Sequence, residues 1–324
     1  MIIVTGGAGF IGSALVAELN ARGVDDILIV DLLGTSDKWK NLRKLRFLDY
    51  MEADDFAQSL DSDQIEWDVE AILHMGACSD TTETDAAYLL RNNYEYSKML
   101  AQWASQKEIR FVYASSAATY GDGTMGFSDS EPIDRLIPLN MYGYSKQLFD
   151  LWAQKTGLAD QIAGLKYFNV FGPNEYHKGQ MRSFVVKAFE QINAEGKVRL
   201  FKSHRPDYAD GMQLRDFIYI KDAVEMTLFF LENPDINGLF NIGTGKARSW
   251  LDLANAVFAA MDKKPTIEFI PMPDTLRDKY QYFTQADISK IRSAGYHTNT
   301  IELEDAVADF VRNYLMKGEY LGGE

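Results

Sequence analysis

The chain begins with three spaced glycines, Gly6, Gly9 and Gly12, between an apolar run at residues 2–4 and a predicted helix over residues 11–22. Gly6 permits a tight turn, Gly9 lets the backbone approach a pyrophosphate, and Gly12 lets the helix pack closely on the strand. The amino end of such a helix offers free N–H groups and a positive dipole to phosphates. This strand, turn and helix predict a dinucleotide site at the start of a parallel α/β unit.

Asp31 follows the second predicted strand, residues 27–30, about 20 residues after the glycines, where an acid can bind the adenosine ribose hydroxyls. Taken alone, Asp31 favours NAD. Lys38, with Lys40 nearby, brings positive charge that can neutralise the 2′-phosphate of NADP. The residues therefore leave NADP and NAD both open.

Continuous apolar strands alternate with amphipathic helices through the first half of the chain. Strands are predicted at residues 71–75, 111–115 and 164–169, and a helix over 85–106. This order predicts an α/β fold, a Rossmann-type doubly wound parallel sheet covered on both faces, with a smaller α/β substrate-binding lobe. We expect the nucleotide-binding domain to comprise residues 1–168, with about 217–245 returning to its sheet through strands at 217–220 and 240–242. Residues 169–216 and 246–324 would then form the smaller lobe.

The charge balance excludes several classes of protein. Lys plus Arg number 33 and Asp plus Glu number 47, so the 324-residue chain has a net charge of −14 and repels nucleic acid. Its lone cysteine, Cys78, permits no internal disulfide, which fits a reducing, cytoplasmic location. The four histidines lack metal-ligand spacing, and no apolar run is long enough for a membrane span. We therefore expect no metal, no nucleic-acid partner and no membrane partner.

Tyr142 and Lys146 lie four residues apart at the start of a helix predicted to run to about residue 155, so they share one face. A phenol with a pKa near 10 is a poor base at neutral pH, and a neighbouring ammonium favours the phenolate. The Lys146 side chain can also reach nicotinamide ribose hydroxyls. Ser116, at the end of a predicted strand, would donate a hydrogen bond to the substrate oxygen. Together they predict proton removal from an alcohol during its oxidation.

Three motifs carry a family resemblance: Gly6-x-x-Gly9-x-x-Gly12, the segment at residues 115–121 (Ser-Ser-Ala-Ala-Thr-Tyr-Gly), and Tyr142-Gly-Tyr-Ser-Lys146. The chain resembles the extended short-chain dehydrogenase/reductase family over nearly its whole length. The segments His177-Lys178-Gly179 and Phe283-Thr-Gln-Ala-Asp287 are similar to those of a narrower branch, the epimerases acting at C6″ of ADP-glycero-manno-heptose. Ala117 and Ala118 stand where the related dehydratases place proton-transferring acids, so dehydration lacks its catalytic acid.

The resemblance implies epimerisation through transient oxidation to a 6″-keto sugar and return of hydride to its opposite face, in the synthesis of lipopolysaccharide core precursors. Tyr142 and Lys178 would act as the two acid–base groups, although Lys178 read without the family is a solvated loop lysine. The resemblance also implies NADP as cofactor, an ADP-sugar substrate and a homo-oligomer, by resemblance a pentamer. A UDP-sugar 4-epimerase and a catalytically inactive NADP-sensing protein are the alternatives.

The resemblance assigns two sets of binding residues. Those at the cofactor are Gly6, Gly9, Phe10, Ile11, Gly12, Asp31, Leu32, Lys38, Met75, Gly76, Ala77, Cys78, Ser79, Asn92, Lys146, Val170 and Lys178. Those at the substrate are Ser116, Asn169, Gln180, Lys187, Phe201, Lys202, Ser203, His204, Arg215 and Tyr280.

Some of these positions depart from the family pattern. Ala53 stands where the family often has a second lysine at NADP, and Gln180 and Lys187 replace the commoner Ser and His. The loop at residues 204–214 is longer than in familiar members. Arg215 is the best candidate for binding a pyrophosphate in bidentate fashion, the alternative being a salt bridge with Asp216 or a neighbour.

Overall fold

A computed structural model describes residues 1–62, 64–65, 67–277 and 280–323. Its strands are β1 (Ile2–Thr5), β2 (Ile27–Asp31), β3 (Asp49–Glu52), β4 (Ala71–His74), β5 (Arg110–Ser116), β6 (Ala163–Tyr167), β7 (Asn169–Phe171), β8 (Val198–Phe201), β9 (Leu214–Tyr219), β10 (Gly238–Ile242), β11 (Ala247–Ser249) and β12 (Ile267–Ile270). Its α-helices are α1 (Phe10–Ala21), α2 (Ala53–Asp61), α3 (Ala86–Leu89), α4 (Tyr96–Gln106), α5 (Met141–Lys155), α6 (Phe184–Glu195), α7 (Ile220–Glu232), α8 (Trp250–Ala260), α9 (Asp274–Arg277), α10 (Ser289–Ser293) and α11 (Leu303–Asp309).

Seven parallel strands form the main sheet in the order β10-β6-β5-β4-β1-β2-β3. Successive side chains enter different cores: Val4 packs in one core cluster, while Ile3 and Leu28 belong to a second. This alternation buries both faces of the sheet, as strands without a polar face require. The predicted Rossmann-type fold is confirmed.

A two-stranded sheet of β8 and β12 and a three-stranded sheet in the order β11-β9-β7 lie beside the main one. Of the two strands predicted to return to the main sheet, β10 does so, pairing with β6. The prediction is wrong for β9, which pairs with β7 and β11. Its aromatic side chains explain this position, because the ring of Phe217 lies 5.1 Å from that of Trp250 and the ring of Tyr219 lies 5.4 Å from that of Phe171.

The segment between β4 and β5 contains an irregular turn. Leu90–Glu95 is π-helical and joins α3 to α4, so the predicted helix over 85–106 has a wide turn within it. The turn directs Asn93 into the interior, where the residue is fully buried. Wide turns of this kind often occur at functional sites.

Short 3₁₀ segments carry several residues of interest: Asp37–Leu42, Ala117–Tyr120 and Tyr176–Met181. Within the described part of the chain, no helix has both the length and the apolar character needed to cross a membrane. The same residues contain no cluster of three or more His, Cys, Asp or Glu side chains suited to a metal.

Candidate active site

A cavity of about 560 Å³ opens at the carboxyl ends of the main-sheet strands and holds most of the predicted site. All four predicted catalytic residues line it: Ser116, Tyr142, Lys146 and Lys178. The predicted cofactor residues that line it are Gly6, Gly9, Phe10, Ile11, Gly12, Asp31, Lys38, Met75, Gly76, Ala77, Ser79, Lys146, Val170 and Lys178. Leu32, Cys78 and Asn92 are outside the lining, and of the further substrate residues only Asn169 belongs to it.

The glycine turn leaves no room for side chains. A Cβ on Gly12 would stand 2.1 Å from the carbonyl oxygen of Gly6, and a Cβ on Gly9 would stand 3.0 Å from the same atom. Gly6 has a φ of +66°, and a Cβ there would meet the backbone of Gly76 at 2.6 Å. Backbone therefore surrounds this end of the cavity at close range, which fits the approach of a dinucleotide pyrophosphate.

The carboxylate of Asp31 organises the adjoining loop. Its oxygens accept hydrogen bonds from the backbone N–H groups of Ala8 at 2.8 Å and Leu32 at 2.7 Å. Lys38 Nζ forms an ion pair with the same carboxylate at 2.6 Å. Lys38 thus neutralises the charge of Asp31 at the place predicted for an adenosine ribose. Leu32 contributes only its backbone N–H to this network, since its side chain is exposed.

Tyr142 and Lys146 lie near the start of α5, which Asn140 caps by accepting a hydrogen bond from Gly143 N at 2.7 Å. Burial raises the pKa of the Tyr142 phenol, and hydrogen bonding with Ser116 acts in the opposite direction. The expected lowering of this pKa by Lys146 is not found, because desolvation dominates and Lys146 Nζ donates to the carbonyl of Ala114 at 2.8 Å. Burial also lowers the pKa of Lys146 to about 8.

Lys178 lies on the 3₁₀ segment Tyr176–Met181, with Nζ 5.5 Å from the centroid of the Phe10 ring. Burial lowers its pKa, while the neighbouring carboxylate of Glu175 opposes that shift. Glu175 is itself buried and accepts hydrogen bonds from Gly172 N at 3.1 Å and Ser183 Oγ at 2.7 Å. A partly desolvated lysine held this way can exchange a proton nearer neutral pH than a solvated one.

His177 was missed from the sequence, although it precedes Lys178. Its Nδ1 lies 3.3 Å from Asn41 Nδ2, and that amide also donates to the carbonyls of Ala8 at 2.9 Å and Asn174 at 3.0 Å. Burial is the main reason that the pKa of His177 falls to about 4. Asn41 thus connects the glycine turn to the segment that carries Lys178.

The loop after β4 is held by Asn93, a neighbour of the predicted Asn92. Asn93 Oδ1 accepts from Cys78 N at 2.8 Å, and Asn93 Nδ2 donates to Cys78 O at 2.9 Å and Ser145 Oγ at 3.0 Å. Asn92 instead donates to the carbonyl of Tyr88 on its own helix at 2.8 Å. The wide turn explains the difference, because it aims Asn93 and not Asn92 at the loop.

Arg215 lies on β9 in the smaller sheet and is 6% exposed. Its guanidinium carbon lies 5.1 Å from the Tyr280 ring centroid and 5.8 Å from that of Trp250, and its NH1 donates to the carbonyl of Leu214 at 2.8 Å. The alternative salt bridge with Asp216 is absent, since that carboxylate accepts from Thr244, Gly245 and Ala286. Among the described residues, no carboxylate pairs with this buried cation, which suits it to an anionic ligand.

The remaining predicted substrate residues lie outside the cavity lining and have partners of their own. Lys187 Nζ donates to the carbonyl of Gln180 at 2.7 Å, and Lys202 is exposed at the end of β8, just after Phe201. Ser203 N donates to Asp210 Oδ1 at 2.7 Å. The ring of His204 contacts Tyr282, whose hydroxyl lies 2.8 Å from Nδ1.

The lining also contains residues that were not predicted as site residues. They are Ser36, Thr81, Ala114, Ser115, Ala117, Ala118, Tyr167, Phe168, His177, Met181, Gln281 and Thr284. Several adjoin predicted residues, so proximity along the chain was the available signal. Gln281 follows the predicted Tyr280, and Thr284 lies within the segment Phe283–Asp287 that carries the family resemblance. Contacts with Gly121 and Leu214 bring these two residues to the cavity.

Comparison with known proteins gives consistent results. Residues 2–243 match the NAD dependent epimerase/dehydratase family. The chain is 58% identical over 316 residues to an ADP-L-glycero-D-manno-heptose-6-epimerase of Nitratidesulfovibrio vulgaris, covering 97% of this chain and 98% of the relative. It is 49% identical over 327 residues to the enzyme of that name from Fusobacterium nucleatum, covering 98% of each.

Solved structures show the same fold. The Helicobacter pylori ADP-L-glycero-D-manno-heptose-6-epimerase superposes with a TM-score of 0.81 at 26% identity, covering 96% of this chain and 95% of that one. A UDP-N-acetylglucosamine 4-epimerase from Methanobrevibacter ruminantium gives a TM-score of 0.82 at 22% identity over 98% of each chain, a likeness of fold alone.

Proposed function

Because the chain belongs to the NAD dependent epimerase/dehydratase family, we propose that it inverts the configuration at C6″ of ADP-glycero-manno-heptose, from D-glycero to L-glycero. The observation that carries the proposal is the meeting of Tyr142, Lys146 and Lys178 with the glycine turn in one cavity. This arrangement supports a role for Tyr142 and Lys178 as two separate proton-exchanging side chains beside the proposed dinucleotide site.

NADP is the proposed cofactor, with NAD as the alternative. The glycine turn and the loop at residues 75–79 would hold it, and its nicotinamide supplies reversible hydride transfer when bound. The ion pair of Lys38 with Asp31 removes the net negative charge that would repel a 2′-phosphate. Ala53 supplies no second cation, so this one lysine carries the proposed preference.

Tyr142 and Lys178 are proposed to share the proton chemistry at the C6″ oxygen. One takes the hydroxyl proton as the sugar is oxidised to the 6″-ketone, and the other returns a proton after the ketone turns over. Ser116 would donate a hydrogen bond to the same oxygen. Because burial disfavours the Tyr142 phenolate, its formation depends on positive charge beside it, which the ammonium of Lys146 would supply.

The ADP portion of the substrate is proposed to bind at the smaller sheet. Arg215 would bind the diphosphate, since a buried guanidinium with no carboxylate partner among the described residues has free N–H groups for phosphate oxygens. Gln180, Lys187 and the segment 201–204 lie on the neighbouring elements and Tyr280 packs on Arg215. The smaller lobe, residues 169–216 and 246–324, would close the site over the sugar.

The wider setting is also proposed. We place the reaction in the cytoplasm, in lipopolysaccharide core precursor synthesis, and the enzyme as a homo-oligomer, by resemblance a pentamer. The relatives' names support the ADP-heptose substrate, and the family resemblance implies the cytoplasmic, lipopolysaccharide and oligomeric parts of this setting.

The decisive experiment incubates purified protein with ADP-D-glycero-D-manno-heptose and follows the C6″ diastereomers by NMR. We expect interconversion with no net consumption of NADP, and loss of at least a hundredfold in Tyr142→Phe and Lys178→Met. Full activity of both variants with both diastereomers would refute the two-residue mechanism. Turnover of UDP-galactose instead would favour a 4-epimerase, and cofactor binding without any turnover would favour a sensing protein.

Cofactor preference is tested separately by titrating apo-protein with NADP⁺ and NAD⁺. We expect tighter binding of NADP⁺ and a loss of that preference in Lys38→Met, with NAD⁺ affinity little changed. An equal loss for both dinucleotides would show that Lys38 acts only by ordering the Asp31 loop.

A further inference from the structure

A buried cluster of charged and hydroxyl groups lies between α5 and the main sheet, next to Lys146. Asp150 follows Lys146 by one helical turn on α5, and its side chain is fully buried. Its carboxylate accepts hydrogen bonds from Tyr113 OH at 2.9 Å and Ser115 Oγ at 2.7 Å. Neither Asp150 nor its tyrosine partner belongs to the cavity lining, so the mechanism above leaves them without a role.

Lys166 brings a second buried cation to this cluster. It pairs with Ser115 across β5 and β6, so both side chains project from the same face of the sheet. Its Nζ donates to Thr119 Oγ1 at 2.9 Å, lies 4.5 Å from the centroid of the Tyr120 ring, and lies 3.9 Å from a carboxylate oxygen of Asp150. Only 2% of the lysine side chain is exposed.

The cluster therefore contains two buried ammonium groups around one buried carboxylate. Removing such ions from water is unfavourable unless an opposite charge is near. Lys146 has the carbonyl of Ala114 as its hydrogen-bond partner and Asp150 as the nearby carboxylate on its own helix face. The geometry makes Asp150 a counter-charge that the two lysines share.

We propose that Asp150 is a positioning residue whose carboxylate keeps the Lys146 side chain protonated, while Lys166 competes for the same negative charge. The catalytic part of this inference rests on the proposed function, in which the Lys146 ammonium stabilises the Tyr142 phenolate. The charge relation itself is a property of the folded chain.

Other charged and titratable groups face the cluster and contribute to its electrostatic field. Cys78 and His74 face Lys146, and burial lowers the pKa of His74 to about 3, so that imidazole is neutral near pH 7. Asp129 and Lys290 act on Lys166 with opposite signs. Among the described residues, none of these four forms a hydrogen bond or ion pair with Asp150. Asp150 is therefore the group whose removal changes the electrostatic field at Lys146 most directly.

The pH dependence of kcat tests the proposal, because the ammonium form of Lys146 is lost as pH rises. Asp150→Asn keeps the size of the side chain and removes its charge, so the alkaline fall in kcat should move to lower pH by about one unit. Lys166→Met removes the competing cation and should move the fall to higher pH. A purely structural role would not move the two variants in opposite directions.

Asp134→Asn is the matched control, because it makes the same chemical change at an exposed residue and should leave the profile unmoved. A second readout needs no turnover: NMR titration of protein carrying ¹³C-labelled lysine, with the Lys146 signal assigned by its loss in Lys146→Arg. A Lys146 titration identical in wild type and Asp150→Asn would overturn the proposal. If Asp150→Asn fails to fold, the proposal is overturned when the pKa of Lys146 in Lys166→Met is unchanged or lower than in wild type.

These readouts separate the two proposals. If the pKa of Lys146 shifts as expected in both variants but the protein does not epimerise the ADP-heptose, the proposed function is refuted and the role of Asp150 is supported. If wild type epimerises the ADP-heptose but the pKa of Lys146 is unchanged in both variants, the proposed function is supported and the role of Asp150 is refuted.

Discussion

The glycine-turn side and the smaller-sheet side of the molecule would bind their proposed ligands by different means. On the first side, backbone approaches backbone so closely that a Cβ on Gly12 would stand 2.1 Å from a carbonyl oxygen. On the second, single long side chains such as Arg215 lie on aromatic rings. A site built from backbone tolerates almost no substitution, whereas one built from side chains changes specificity one residue at a time.

The strongest test of this comparison is Gly12→Ala. We expect loss of measurable dinucleotide binding, because the added methyl group collides with backbone that cannot move aside. Calorimetric titration with NADP⁺ and NAD⁺ measures it, with circular dichroism to monitor the fold. Gly9→Ala, whose Cβ has a contact at 3.0 Å, should lose less affinity. Wild-type binding by both variants would contradict a backbone-built site.

On the other side, Arg215→Lys should raise KM for the ADP-sugar roughly ten- to hundredfold while kcat changes little, because lysine loses the bidentate geometry. Steady-state kinetics at saturating cofactor separate the two constants. Arg248→Lys is the control, since Arg248 is the cross-strand partner of Arg215 but is ion-paired with Asp252 and Glu304. Equal effects from both variants would argue that only the small sheet's stability was altered.

The smallest expected effect is a change of the kinetic constants with pH, which should differ between the glycine-turn side and the smaller-sheet side. With the pKa of Lys146 lowered to about 8, its ammonium fraction falls as pH rises through 8, so kcat should drop about tenfold between pH 7 and 9. Arg215 remains charged over this range, so KM for the ADP-sugar should stay nearly constant. Rate profiles at saturating and limiting substrate measure both. A rise in KM with an unchanged kcat would reverse the assignment of the titrating group.

The same contrast explains what the sequence could and could not predict. Local spacing predicted the glycine turn, Asp31 and the Tyr142–Lys146 pair, because a turn or one helical face fixes the relation between such residues. Asn92 was assigned through the family resemblance, and the inward position of Asn93 depends on the wide turn, which local spacing does not reveal. Asp150 and Lys166 went unnoticed because their meeting depends on strand register and helix packing.

Misplacement of β9 has a similar origin. Its apolar residues suit a buried strand of any sheet, and tertiary packing on Trp250 and Phe171 decides which sheet it joins. The weakly apolar edge strand β3 carries too little pattern to predict. The helix after it, α2, has an apolar pair four residues apart, Phe56 and Leu60, so its pattern could have predicted it. Gln281 and Thr284 adjoin residues that the resemblance singled out, but their contacts with Gly121 and Leu214 cannot be inferred from local spacing.

The wide turn at Leu90–Glu95 makes the loop after β4 dependent on helix phase. Deleting one residue there would restore the ordinary pitch and rotate the following side chains by about 100° relative to those before the turn. Asn93 would then release both backbone groups of Cys78 and the hydroxyl of Ser145 at once. The length of this helix therefore matters more than its composition. Deleting a single residue here would break the hydrogen bonds of Asn93, whereas several surface substitutions would leave them intact.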